Sequence, residues 1–413
     1  YQINGYGING YKTDKNKTIN AGNSGTLARL ILGLLISSKK KIKNNLCKIY
    51  GRGFNGYKYK ENLTLDAKNS GTLGRLILGL LVNSTKKIKL IGDKSLSKRD
   101  FKRISSPLSK FGVKFKHKNK FGLPLEIQGI KNLRPITYKE TRGSAQCKSS
   151  IIFAGMRTQG KTIIKAKKSR DHTELLCKYL KIPLKIRKKK KFDLIEIKKV
   201  NKIRSIKYKI PSDVSSAAFF IVLVALLKKS SIKIKNVNIN PSRIGVIKIL
   251  RKMGIGINFK NKKFYKGEPI ADIYVKSPKV IKSINCSSDL NSEAIDEFLI
   301  IFLVAAKAQG TSYFKGLSEL NKKESPRLDW AYKILRLMGV KTIKTNNSIT
   351  ITGNPKLEIK KNIVIKNFLK DHRVFMTCII AALSFGGKWK IHDKDSIKTS
   401  FPSFLKIISN LKK

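Results

Sequence analysis

Acidic residues are scarce in this chain. Its 413 residues include 25 Asp and Glu against 89 Lys and Arg, a formal net charge of +64. Cysteine is sparse too. Cys47, Cys147, Cys177, Cys286 and Cys378 are scattered, with no paired spacing. An odd, dispersed set argues against a disulfide framework or a zinc site and fits a reducing, cytoplasmic setting. Long hydrophobic runs are missing. The longest, residues 214–227, contains two serines and is too short to cross a bilayer. No basic-then-apolar signal segment opens the chain. It does not begin with Met, so its natural start is expected upstream. What is present is enough for a core: 41% of residues are hydrophobic and 8% aromatic, which excludes wholesale disorder. The length suggests two or three domains.

A positive excess of this size suits nucleic acid, an acidic membrane surface or small anions. It also has a plain compositional reading, because Lys, Ile and Asn are all heavily used, as in AT-rich coding. The lysines run along the whole chain, and no aromatic-interleaved basic motif of the RNA-binding kind appears. The densest run, residues 187–191, reads as a solvated hairpin connection. No nucleic-acid or membrane partner is expected, and a positive cleft that gathers small anionic substrates remains compatible with the charge.

Two features organise the chain. One is a direct repeat: residues 7–43 align without gaps on 53–89, at an offset of 46, with 25 of 37 positions identical. Two copies do not make a solenoid. A tandem duplication is the simpler account. The other is a rhythm of short strands and helices. Helix starts are expected at Ser24/Ser70, Phe101, Ala145, Thr173, Ser215, Ala294, Pro326 and Val374. Strands are expected at 87–91, 162–166, 194–197, 231–234, 311–314 and 348–351. The alternation predicts an α/β (α+β) architecture. The segment Pro211-Ser212-Asp213-Val214-Ser215-Ser216 reads as a domain junction, dividing the chain into residues 1–210 and 211–413.

Several helix starts carry groups suited to anions. Asn69-Ser70-Gly71-Thr72 opens an apolar helix, leaving free N–H groups and the positive end of the dipole. Gly71 lets an anion approach the backbone closely. Capped helices are common, so this alone is weak. Residues 92–99 follow a strand and offer Ser, Lys and Arg, able to hold phosphate or carboxylate or simply to be a solvated basic loop. Ser144-Ala145-Gln146 and Ser169-Arg170-Asp171-His172-Thr173-Glu174 open two further helices; the second also reads as a plain N-cap with acids in its first turn. Asp296-Glu297 precedes an apolar helix, where an acid usually just complements the dipole. Lys323-Glu324-Ser325-Pro326-Arg327 sets a carboxylate between cations, which favours its ionised form. Asp371-His372-Arg373 opens another apolar helix, and a lone His there is more often structural than catalytic.

In this order the chain resembles the 5-enolpyruvylshikimate-3-phosphate synthases of the enolpyruvate transferase family. The matching blocks are residues 69–75, 92–103, 143–155, 169–174, 212–220, 296–310, 323–327, 371–376 and 399–402. The wording Ser-Leu-Ser-Lys-Arg and Ser-Arg-Asp-His-Thr-Glu is similar to the bacterial branch that includes glyphosate-tolerant enzymes. That branch often has alanine in the first block, where this chain has Gly71. The resemblance implies a two-domain, inside-out α/β barrel of repeated βαβαββ units whose lobes close on the substrates, with the N-terminal domain incomplete or partly duplicated.

The same resemblance implies transfer of the enolpyruvyl group of phosphoenolpyruvate to the 5-hydroxyl of shikimate 3-phosphate, with release of phosphate. It implies no metal or organic cofactor and a monomer. By position, Asp296 resembles the general base and Glu324 the proton donor. Gly71, Arg99, Gln146, Arg327 and Arg373 resemble the phosphoenolpyruvate contacts. Ser144, Ala145, Gln146, Ser169, Arg170, Asp296 and Lys323 resemble the shikimate 3-phosphate contacts.

The chain also departs from the family. The opening Lys-Ser-x-Ser-x-Arg segment has no equivalent ahead of Asn69. The second repeat copy is in register, so Asn23-Ser24-Gly25-Thr26 is surplus. A late family Lys falls beside Lys398. These departures predict weak activity. Two other readings stand beside the transferase: the sister enolpyruvyl transferase acting on UDP-N-acetylglucosamine, which uses a loop cysteine that has no match here, and a basic nucleic-acid-binding protein.

Overall fold

The computed structural model describes residues 2–6, 46–50, 61–203, 208–398 and 400–411, with backbone alone at 2–6, 46–50 and 208–209. The first repeat copy, its helix start at Ser24, and Thr399 lie outside the described residues. The chain divides into two compact units, Tyr1–Ile210 and Pro211–Lys413.

Among its described residues the first unit contains two complete copies of one pattern. Strands Leu63–Asp66 and Lys87–Ile91 run parallel, joined through the helix Gly71–Leu80. The helix Lys102–Ser109 follows, and then the hairpin Lys114–His117 and Leu125–Gln128, whose second strand pairs antiparallel with Lys87–Ile91. The second copy repeats this order. Thr137–Glu140 lies parallel to Lys161–Lys167 across the helix Ala145–Gly155, and His172–Tyr179 leads into the hairpin Leu184–Lys188 and Phe192–Lys198. Each copy is βαβαββ. A third sheet sets Gln2–Tyr6 between a parallel Leu46–Tyr50 and an antiparallel Tyr208–Lys209.

The strands alternate buried and exposed positions, as in Lys161–Lys167. One face of such a strand is therefore wet, and its partner face needs a covering layer. The helices supply it. Ala145–Gly155 is buried from Cys147 onward, with no polar stripe left for solvent, which marks an interior helix. It packs on Gly71–Leu80 so closely that a Cβ on Gly79 would lie 2.2 Å from the Ser150 carbonyl oxygen. Glycine is required there because backbone meets backbone. Ser150 Oγ donates to the Arg75 carbonyl at 2.6 Å across the same contact. Within this interior Lys148 Nζ lies 2.5 Å from Glu174 Oε1, with both side chains almost fully buried.

The second unit has the same grammar. Ser231–Asn238 and Gly256–Tyr265 flank Glu268–Lys276, and Ser212 adds a parallel bridge to Val237. Asn285–Cys286, Thr311–Lys315, Ser348–Thr352 and Thr342–Lys344 form the second sheet in that order. Asn362–Ile365 and Lys388–Ile391 form a parallel pair around the helix His372–Phe385. Three apolar helices, Val214–Leu226, Phe298–Ala306 and His372–Phe385, pack against one another in the core. Strands lie outside and helices inside in both units.

One expected element is divided. The helix expected from Ala294 is two pieces, Asn291–Ala294 and Phe298–Ala306. Residues 295–297 form a turn between them, which carries Asp296 and Glu297.

Candidate active site

The three core helices of the second unit point their N-terminal ends at one cluster of charge. Asp213 precedes the first, Glu297 the second and Asp371 the third. The helix Arg327–Leu337 adds a fourth end. The positive dipole ends of four helices favour an anion.

Arg327 is the hub. It is 2% exposed and reaches three carboxylates. Its Nε donates to Asp371 Oδ2 at 2.9 Å. Its Nη1 lies 3.4 Å from Asp296 Oδ1, and its Nη2 donates to Glu324 Oε2. Lys323 Nζ donates to the same Asp296 oxygen at 3.1 Å. Arg373 Nη1 donates to the Asp296 carbonyl at 2.8 Å. Asp296, Lys323, Glu324, Arg327 and Arg373, all expected site residues, are therefore linked in one cluster through Asp296 and Arg327. Asp296 is not a helix cap here; its carboxylate faces two cations.

Asp371 and Ser325, which lie in the segments quoted above but outside the expected site residues, join this cluster. Ser325 Oγ and the Arg373 amide both donate to Asp371 at 2.9 Å. Burial acts to raise the Asp371 carboxyl, and the charge and hydrogen bond of Arg327 with the charge of His372 together bring it below the usual carboxylate range. Burial works against the charge on Arg327, but Asp371, Glu324 and Asp296 together hold the guanidinium firmly protonated. Burial pushes His372 down to about 4, so its ring stays neutral at physiological pH. This agrees with a structural histidine. Lys398 is exposed and pairs locally with Asp395 at 2.8 Å, outside this cluster.

The first unit builds a smaller constellation from two helix starts. Ser70 caps Gly71–Leu80 by accepting from the Leu73 amide at 3.2 Å, and Ser144 caps Ala145–Gly155 by accepting from the Cys147 amide at 3.2 Å. Gln146 joins the two ends. Its Oε1 accepts from Arg75 Nη1 at 2.6 Å and its Nε2 donates to Thr72 Oγ1 at 2.8 Å. Arg99 Nη2 donates to Asn69 Oδ1 at 3.4 Å, and Asn69 Nδ2 donates to Asp93 Oδ2 at 2.5 Å. A Cβ on Gly71 would lie 3.1 Å from Arg99 Nη1 and 3.4 Å from Arg75 Nη1. Gly71, Arg99 and Gln146 thus meet around Arg75, a residue absent from the sequence-based set.

Ser144, Ala145, Ser169 and Arg170 are all half-buried. The turn before Ser144 abuts the strand end before Ser169: Gly143, at φ +70°, leaves its Cβ position 3.3 Å from the Lys168 carbonyl. Ser169 Oγ is buried and has no hydrogen-bond partner among the described residues. A buried hydroxyl in that state is a ready donor for an incoming acceptor. Glu174 is not simply a first-turn acid as expected. It pairs with Lys148, and burial raises its carboxyl despite that partner.

The family described as EPSP synthase (3-phosphoshikimate 1-carboxyvinyltransferase) matches residues 37–408. The chain is 38% identical to 3-phosphoshikimate 1-carboxyvinyltransferase of Caldicellulosiruptor bescii over 321 residues, covering 77% of this chain and 73% of that protein. It is 38% identical to the protein of the same name from Ruthia magnifica over 410 residues, covering 99% of this chain and 81% of that protein. The solved structure of EPSP synthase from Acinetobacter baumannii superposes with a TM-score of 0.80 at 29% identity, covering 99% of this chain and 96% of that one.

Proposed function

The chain belongs to the EPSP synthase family, and on that footing we propose how its own residues carry out the family's reaction. The enzyme transfers the enolpyruvyl group of phosphoenolpyruvate to shikimate 3-phosphate and releases phosphate, a step of aromatic amino acid biosynthesis.

Asp296 is the general base. It takes the proton of the 5-hydroxyl as that oxygen bonds to C2 of phosphoenolpyruvate. Glu324 gives a proton to the C3 methylene, so the adduct is a tetrahedral ketal with a methyl group. In the second half the C2–O bond to phosphate breaks. Glu324 recovers a proton from the methyl group, and Asp296 returns its proton toward the departing phosphate. Atoms and charges balance, and both carboxylates end as they began.

The observation that carries this reading is the shared guanidinium. Asp296 and Glu324 both contact Arg327, so the two proton-transfer groups are held within reach of one small substrate. An anionic substrate oxygen on Arg327 competes with Glu324 for it. Loss of that partner favours the protonated carboxyl that the first step needs.

The remaining expected contacts keep their assignments. Gly71, Arg99, Gln146, Arg327 and Arg373 take phosphoenolpyruvate, and Ser144, Ala145, Gln146, Ser169, Arg170, Asp296 and Lys323 take shikimate 3-phosphate. The unpartnered, buried hydroxyl of Ser169 supports the second set. A monomer in the cytoplasm completes the proposal. Four free, buried cysteines among the described residues support a reducing compartment, and no described helix is long and apolar enough to cross a membrane.

Thermal unfolding tests the ligand assignment. Shikimate 3-phosphate should raise the midpoint with concentration, following RT ln(1 + [L]/Kd). A Ser169→Ala variant should need more ligand for the same shift. A midpoint indifferent to shikimate 3-phosphate and raised instead by DNA at low salt would favour the basic-binder reading.

A further inference from the structure

Glu297 follows the proposed base in sequence and is 1% exposed. Its Oε1 accepts a hydrogen bond from Ser215 Oγ and lies 3.7 Å from Arg373 Nη1. Its Oε2 is buried and has no hydrogen-bond partner among the described residues. Behind Ser215 stands Arg243, whose Nη2 donates to Ser215 Oγ at 2.6 Å and to Asp213 Oδ1 at 3.0 Å. The series Arg243–Ser215–Glu297–Arg373 therefore ties the starts of all three core helices together.

A buried carboxylate is costly unless its oxygens are satisfied. A carboxylate placed only for stability would use both. Glu297 uses one, and spends it on the junction between Ser215 and Arg373. Arg373 Nη1 is consequently held twice by adjacent residues, by the Asp296 carbonyl at 2.8 Å and by Glu297. Fixing one nitrogen from two directions leaves the fork little freedom to turn.

We propose that Glu297 is a positioning residue that aims the Arg373 guanidinium at phosphoenolpyruvate, with Ser215 and Arg243 bracing the carboxylate from behind. This rests on the assignment of Arg373 as a phosphoenolpyruvate contact and goes beyond it. Glu297 itself touches no substrate. Its charge alone would act in the opposite sense, since an anion beside Arg373 weakens the field that attracts another anion. Orientation and field therefore predict opposite signs.

Steady-state kinetics of the full chain separate them. Glu297→Gln keeps the shape and removes the charge. The KM for phosphoenolpyruvate should rise about tenfold or more while the KM for shikimate 3-phosphate stays within about twofold. Ser215→Ala should shift the same constant in the same direction by less, and it decides the matter if Glu297→Gln does not fold. Arg373→Lys should itself raise the KM for phosphoenolpyruvate, and adding Glu297→Gln should change it little further, because both act through one contact. The proposal is overturned if Glu297→Gln leaves that KM unchanged or lowers it, raises both KM values alike, or adds in full to Arg373→Lys. If Arg373→Lys leaves phosphoenolpyruvate binding untouched, the assignment of Arg373 fails first, and the proposal with it.

Discussion

Asp296 and Glu324 meet on opposite nitrogens of the Arg327 guanidinium, Nη1 facing Asp296 Oδ1 at 3.4 Å and Nη2 facing Glu324 Oε2. The third edge of the fork, Nε, is anchored on Asp371 at 2.9 Å. A planar group with donors in three directions can hold this arrangement; a point charge cannot.

Arg327→Lys is accordingly expected to cut kcat/KM by about 10²–10³-fold, or roughly 3–4 kcal/mol of transition-state binding. It should also lower thermal stability, because Asp371 is left buried with one partner fewer. Steady-state rates and a melting curve on the same preparation check both. A loss below about tenfold contradicts the hub assignment.

Gly71→Ala tests the first unit. The backbone at Gly71 does not adopt a positive φ, so alanine is conformationally acceptable, and it should leave the melting temperature unchanged or slightly higher. The new methyl would press on Arg99 Nη1 at 3.1 Å. The KM for phosphoenolpyruvate is expected to rise about tenfold, ~1.4 kcal/mol, with that for shikimate 3-phosphate little altered.

His372 predicts a pH dependence of stability. Its folded pKa is depressed to about 4 by burial, against 6.5 ordinarily. The unfolded chain therefore binds this proton first as pH falls. The contribution is fully present above about pH 6.5 and is lost progressively down to about pH 4, on the order of 3 kcal/mol in all. His372→Gln should unfold with a shallower pH dependence over that window, in urea titrations at several pH values. Equal slopes would contradict it.

Lys148 and Glu174 should behave as a buried pair. Lys148→Ala leaves a carboxylate without its cation and should destabilise by about 3–5 kcal/mol. Lys148→Met combined with Glu174→Leu should recover most of that loss, since an apolar pair of similar volume is often neutral. Denaturant midpoints of the single and double variants measure the difference.

Sequence reading reached the helix starts because small polar residues before apolar runs are local signals. Ser70, Ser144 and Asp371 each cap a helix in the structure. It reached Asp296 and Glu324 through resemblance, since Asp296 meets Lys323 and Arg327 across 27 and 31 residues of chain. No local propensity encodes such a contact. Arg75 was overlooked for the same reason: it lies inside the repeated segment as an ordinary helix residue, and only helix packing brings it to Gln146, 71 residues away. Lys-rich strands such as Lys114–His117 were missed because one wet face makes them read as loop.

The deciding measurement is phosphate release in a single turnover with both substrates present. Release should require phosphoenolpyruvate and shikimate 3-phosphate together. It should fall about 100-fold or more in Asp296→Asn and in Glu324→Gln, while shikimate 3-phosphate still stabilises Glu324→Gln against heat. Release at the unsubstituted rate from either variant would contradict it.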